Sequence, residues 1–191
     1  MFNLKRLTIM TTLGMIISSV ALAQEEKTAK AEELVTYGGS VNFKGSIVAS
    51  SCVLDVDSTE KEISLGKYQA QKLKQPKETS SPVPFDIYLL DCDVSTYTNI
   101  ALKFKGVTIP DRDDMLAPIA LEASDTIADG VGIQILKDNK VVKVDGSKET
   151  ESFKLIEGQN KLSFQTRYVS LTEDITVGSA NATVDFELVY K

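Results

Sequence analysis

The chain has 191 residues, the length of one ordinary domain with appendages, and its 42% hydrophobic and 25% charged content is that of a globular protein. It contains no His and no Trp, so a Ser-His-Asp or Cys-His mechanism and an imidazole-based zinc site are excluded within this chain. Its net charge of -6 repels nucleic acid and anionic lipid, and no nucleic-acid partner is expected.

In chain order, Lys5 and Arg6 precede an apolar run from Leu7 to Val20 that closes on Ala21-Leu22-Ala23. This pattern predicts a secretory signal peptide over residues 1–23, cut before Gln24. The run is about 14 residues, short of the roughly 20 that a membrane-spanning helix needs. Export of the mature chain follows as an expectation, and loss of Lys5 and Arg6 makes that chain more acidic still. Residues 24–33 (QEEKTAKAEE) have no apolar rhythm and are expected to form a mobile tail.

From Val35 the pattern takes a period of two. Val35, Tyr37, Gly39, Val41 and Phe43 share one face of an extended strand; Thr36, Gly38, Ser40, Asn42 and Lys44 share the other. Cys52 follows, and Cys92 ends the later run FDIYLLDC. In an oxidising compartment these two are predicted to form one disulfide, which would close a loop of about 40 residues and stabilise the domain by about 4 kcal/mol. Residues 69–81, polar and without alternation, are predicted to be a surface connection ending at Pro82 and Pro84.

Short alternating runs then recur: Phe85, Ile87 and Leu89; Ile100, Leu102 and Phe104; Val131, Ile133 and Ile135; Leu162 and Phe164; Val184, Phe186, Leu188 and Tyr190. Turn chemistry separates them at Asp129-Gly130, Asp138-Asn139, Asp145-Gly146 and Gly158-Gln159-Asn160. No window carries a long capped helix. Many short strands, turns and one disulfide predict an all-β protein, a β-sandwich.

The remaining constellations point to no chemistry. Asp55, Asp57 and Thr59 stand where a calcium loop has its first ligands, but Glu60 replaces the required Gly and Gly66 the bidentate Glu. Ser58-x-x-Lys61 and Ser64-x-x-Lys67 have serine-lysine spacing without the accompanying S-D-N and K-T-G elements. Gly130-x-Gly132 lacks the third glycine of a dinucleotide fingerprint and precedes a strand. Asp91, Asp93, Asp111, Asp113 and Asp114 read as acidic turns, and Asn181-Ala-Thr183 as a chance glycosylation triplet. No catalytic residue, metal, cofactor or small-molecule substrate is expected.

Taken together, GGSVNFKGSIV, the first cysteine shortly after it, FDIYLLDC, VGIQIL and LSFQTRYV give the chain a resemblance to type 1-like fimbrial major subunits, the pilins of the chaperone-usher pathway. The chain end fits as well, with Tyr190 penultimate and Gly178 fourteenth from the end. The resemblance implies an incomplete immunoglobulin-like β-sandwich lacking its last strand. It also implies a donor-strand extension over residues 24–39 before a pilin domain over residues 40–191. Val35, Tyr37, Gly39 and Val41 would be the donor residues. Gly178, Val184, Phe186, Leu188, Tyr190 and Lys191 would belong to the strand that lines the groove and meets the chaperone. The implied partners are a periplasmic pilus chaperone, an outer-membrane usher and other fimbrial subunits, in a surface filament used in adhesion. The alternatives are a minor fimbrial subunit, a stand-alone periplasmic β-sandwich binding protein, and, third, a serine-lysine enzyme.

Overall fold

The computed structural model describes residues 33–45, 47 and 51–191. The chain divides into two units, Met1–Gly45 and Ser46–Lys191. The signal peptide expected over residues 1–23 and the charged stretch 24–32 lie outside the described residues.

The second unit is built from the alternating runs. Its strands are β1 (Val53–Leu54), β2 (Val83–Cys92), β3 (Asn99–Gly106), β4 (Thr108–Ile109), β5 (Arg112–Leu116), β6 (Val131–Lys137), β7 (Lys140–Val141), β8 (Asp145–Glu149), β9 (Phe153–Lys154), β10 (Gly158–Ser170) and β11 (Val184–Tyr190). One helical turn, α1 (Val56–Thr59), and one 3-10 turn at Ala70–Lys72 complete the list for the described residues. One sheet has the order β1-β2-β10-β6-β5-β4, with β7 also on β6; the other has β11-β3-β8, with β9 also on β3. Every strand ladder is antiparallel. The two-residue turn from β6 to β7 has Asp138 at φ 51° and Asn139 at φ 60°. Two left-handed residues in succession match the strand twist of a tight hairpin, which is why Asp-Asn serves there.

The core lies between the sheets. Leu89, Ile100, Leu102, Phe104, Val144, Leu162 and Phe164 are fully buried, each from the inward parity of its strand or of the loop before β8. The Phe164 ring meets Phe104 edge-on at 5.2 Å, Phe153 at 5.5 Å and Phe85 at 5.6 Å, so one aromatic side chain links both sheets. On the outer face of β6, Gln134 is also buried, and its amide is satisfied on both sides. It donates to Asp114 at 3.1 Å and accepts from Arg167 at 3.0 Å.

Cys52 and Cys92 are joined, their Cα atoms 4.0 Å apart, at the start of β1 and the end of the neighbouring β2. Peptide mapping of the folded protein without reduction should recover the two cysteine peptides linked; free thiols on both in folded material would contradict this.

Residues 69–81 are more than a surface connection. Ser80 N–H donates to the Tyr168 carbonyl and Tyr168 N–H to Ser80 Oγ, both at 3.0 Å. Lys77 N–H and Ser170 N–H add two 2.9 Å bonds. Leu73 is buried beside Ala128 and Val131. The segment thus covers the end of β10 beyond the start of β2. Its partners are main-chain groups and hydroxyls, which leave no apolar alternation to read.

Candidate functional site

The sandwich is open along one side. A groove of about 1010 Å³ lies there, with Phe85, Ile87, Phe104, Leu116, Ile133 and Ile135 in its lining. Several of these are the same core side chains that close the sandwich elsewhere. One lip is residues 58–67, the other residues 180–186. The second lip includes the start of β11, an edge strand that among the described residues pairs only with β3, from Val184 opposite Gly106 to Tyr190 opposite Ile100. The first lip contains no strand from residue 60 to residue 69, although Ile63 and Leu65 turn partly inward. An edge strand beside an apolar trough is a template for one more strand.

Local packing holds both lips in place. On the first, Ser58 is buried and its Oγ accepts from the Tyr88 amide at 2.9 Å, and Asp55 Oδ1 accepts from Asp57 N–H at 3.0 Å to cap α1. Lys61 Nζ stands 5.6 Å over the Tyr88 ring. Of the residues with calcium-loop and serine-lysine spacing, Asp55 is therefore a cap, Ser58 a buttress and Lys61 a ring contact. On the second lip, Tyr168 Oη donates to the Ala180 carbonyl at 3.2 Å, and burial pushes its phenol pKa up.

Each sequence-derived site residue can be placed. Val184 and Phe186 line the groove. Leu188 and Tyr190, on the same face of β11, are half-buried against the core beyond the groove. Tyr190 Oη reaches the Cys52 carbonyl in a long 3.5 Å contact, its ring is 5.9 Å from that of Tyr97, and burial raises its pKa. Lys191 exchanges main-chain bonds with Asn99, and its ammonium pairs with Glu149. Gly178 is not among the groove-lining residues: a Cβ there would lie 2.3 Å from the Thr126 carbonyl oxygen and 2.7 Å from Ala128 N. Only glycine lets those two segments approach so closely. Val35, Tyr37, Gly39 and Val41 lie in residues 33–45, which carry neither helix nor strand, and Leu34, Val35, Tyr37, Val41 and Phe43 are all exposed.

Parity marks Phe85, Ile87, Phe104, Ile133 and Ile135 only as inward-facing. Which inward residues lack an opposite neighbour is a property of the assembled sheets. The lip at residues 60–67 carries no signal of its own beyond Ile63 and Leu65.

Residues 41–191 match the fimbrial protein family. The chain is 38% identical over 177 residues to a probable major fimbrial subunit, LpfA, of Escherichia coli O157:H7, spanning 92% of this chain and 96% of that one. It is 35% identical over 182 residues to the fimbrial subunit type 1 of Klebsiella pneumoniae, spanning 94% and 98%. Among solved structures, the P pilus rod subunit PapA superposes with a TM-score of 0.64 at 24% identity over 74% of this chain and all of that one. A Burkholderia pseudomallei type I fimbria protein does so with a TM-score of 0.54 at 28% identity over 80% and 97%. The chain therefore belongs to the fimbrial protein family and is a structural fimbrial subunit with the all-β, immunoglobulin-like pilin fold.

Proposed function

We propose that the subunit polymerises head to tail by strand donation: the tail of one copy, residues 24–39 continuing through Val41, enters the groove of the next. The observation that carries this reading is the pairing of two features in one chain. An apolar groove runs beside an edge strand, and a separate stretch exposes apolar side chains at strand spacing. Each is unfavourable in water alone, and each is what the other needs. Residues 24–39 extended at about 3.3 Å each reach about 50 Å, ample for a groove flanked by one strand. Such a contact is heterologous and grows a filament instead of closing a ring.

Before assembly the open groove is an aggregation hazard, so a periplasmic chaperone lends a strand there, with β11 as its handle, and an outer-membrane usher passes the subunit outward. Residues 1–23 direct the export that this route requires. The filament serves adhesion, and the subunit itself needs no cofactor and performs no catalysis. A stand-alone binding protein with a complete sandwich would have no use for the open groove. Antibody against this chain should decorate a surface filament along its whole length in electron micrographs of cells carrying the gene and its neighbours. Decoration of no filament would overturn the reading.

A further inference from the structure

The outer face of the smaller sheet carries charge in rows that cross its strands. In one row Glu187 of β11 faces Lys103 of β3, which faces Glu149 of β8; Lys191 pairs with Glu149 and balances that row. In the other, Asp185 faces Lys105, which faces Asp145. Lys143 lies close enough to Asp145 to act on it electrostatically, but its ion pair is with Asp113 on β5. This second row holds two acids to one base and ends on Asp185, exposed at the free edge of β11 beside the groove. A strand added at that edge would have a place for one cation on its outer face.

The tail offers one. With Val35, Tyr37, Gly39, Val41 and Phe43 turned into a groove, the outward residues over 35–44 are Thr36, Gly38, Ser40, Asn42 and Lys44, of which only Lys44 is charged. We propose that Lys44 of the entering tail pairs with Asp185 of the receiving subunit and thereby fixes the register and direction of strand donation. The inference rests on the strand-donation reading. Every strand ladder in the sheets is antiparallel, and a tail laid antiparallel to β11 brings its C-terminal end beside the start of that strand. The groove lining continues there from Val184 back to Ala180, leaving an exit toward the donor's own domain, whereas the other end of β11 is covered where Tyr97 meets Tyr190. With Phe43 opposite Phe186, Lys44 lies opposite Asp185; with Phe43 opposite Val184, it lies opposite Thr183 and diagonal to Asp185. Both positions are within reach of a lysine.

The test compares purified chaperone complexes of the intact chain, K44E, D185K, K44E/D185K, K44E/E187K and a chain lacking residues 24–39, following fibre growth at low and high salt. K44E and D185K should each slow growth about 2- to 5-fold at low salt, the range expected of exposed cross-strand charges. K44E/D185K should recover to within about 2-fold, and K44E/E187K should not. Near 0.5 M salt the differences should shrink below about 2-fold, because screening then acts over about one ion-pair distance. D185N, which removes the attraction without opposing Lys105, should slow growth less than D185K and guards against a capture defect in the latter. Growth of K44E at the intact rate in low salt, or rescue by E187K instead of D185K, would overturn the pairing while strand donation stands. Undiminished growth of the tail-deleted chain would overturn both.

Discussion

Removing residues 24–39 is expected to leave a subunit that folds and forms a one-to-one chaperone complex but cannot add to a fibre as a donor. The domain's own contacts predict the first half. Among the described residues, all the fully buried core residues lie between Cys52 and Ser170, and no strand ladder involves residues 33–45. The groove chemistry predicts the second. Val35 and Tyr37 are lost with the deletion, and Val41 and Phe43 alone offer about two of the successive positions along a groove. Gly39→Leu should slow the same step without affecting the chaperone complex. A strand entering beside Phe104, Ile133 and Ile135 has little room for an added branched side chain, and overpacking costs about 1–3 kcal/mol. Denaturation-resistant ladders on unheated gels measure both variants. Ladders from the deleted chain equal to those of the intact one would contradict strand donation.

Removing residues 184–191 should have an effect as large and of a different kind: loss of chaperone capture, followed by degradation. β11 pairs with β3 over its whole length, and Val184, Phe186, Leu188 and Tyr190 pack on the core, with Phe186 6.3 Å from Phe104. Their loss would expose Ile100, Leu102 and Phe104, which are fully buried. At about 1.5–3 kcal/mol per large apolar side chain removed from water, this is comparable with the whole stability of a domain, about 5–15 kcal/mol. The groove would also lose a lip, leaving a chaperone strand nothing to pair with. Immunoblots of periplasmic extracts and chaperone co-purification read the outcome. Normal accumulation of the truncated chain with chaperone bound would contradict the assignment of β11.

The strands were largely legible because a half-buried strand writes its burial into alternate residues: the runs at Phe85, Ile100, Val131, Leu162 and Val184 all fall within strands. Short pairings escaped notice for the converse reason. Val53–Leu54, Thr108–Ile109 and Lys140–Val141 are too brief for a period to form. Asp145–Glu149 reads as turn and charge because its outward residues face the lysines of β3. The groove was legible only through family resemblance. Whether an inward side chain such as Ile135 meets a partner or a gap depends on which strands close the sandwich, and that is set by long-range pairing. Gly178 shows the same limit. The family resemblance alone marked it as special, and the close approach of Thr126–Ala128 that requires glycine joins residues about fifty positions apart.

The most direct test of the account is a density map of the assembled filament at a resolution that traces main chain. Strand donation predicts an added strand in each groove, hydrogen-bonded to β11 and continuous with the domain of the neighbouring subunit through its residues 45–51. Density in the groove that connects instead to the same subunit's own domain, or a groove left empty between stacked subunits, would contradict it.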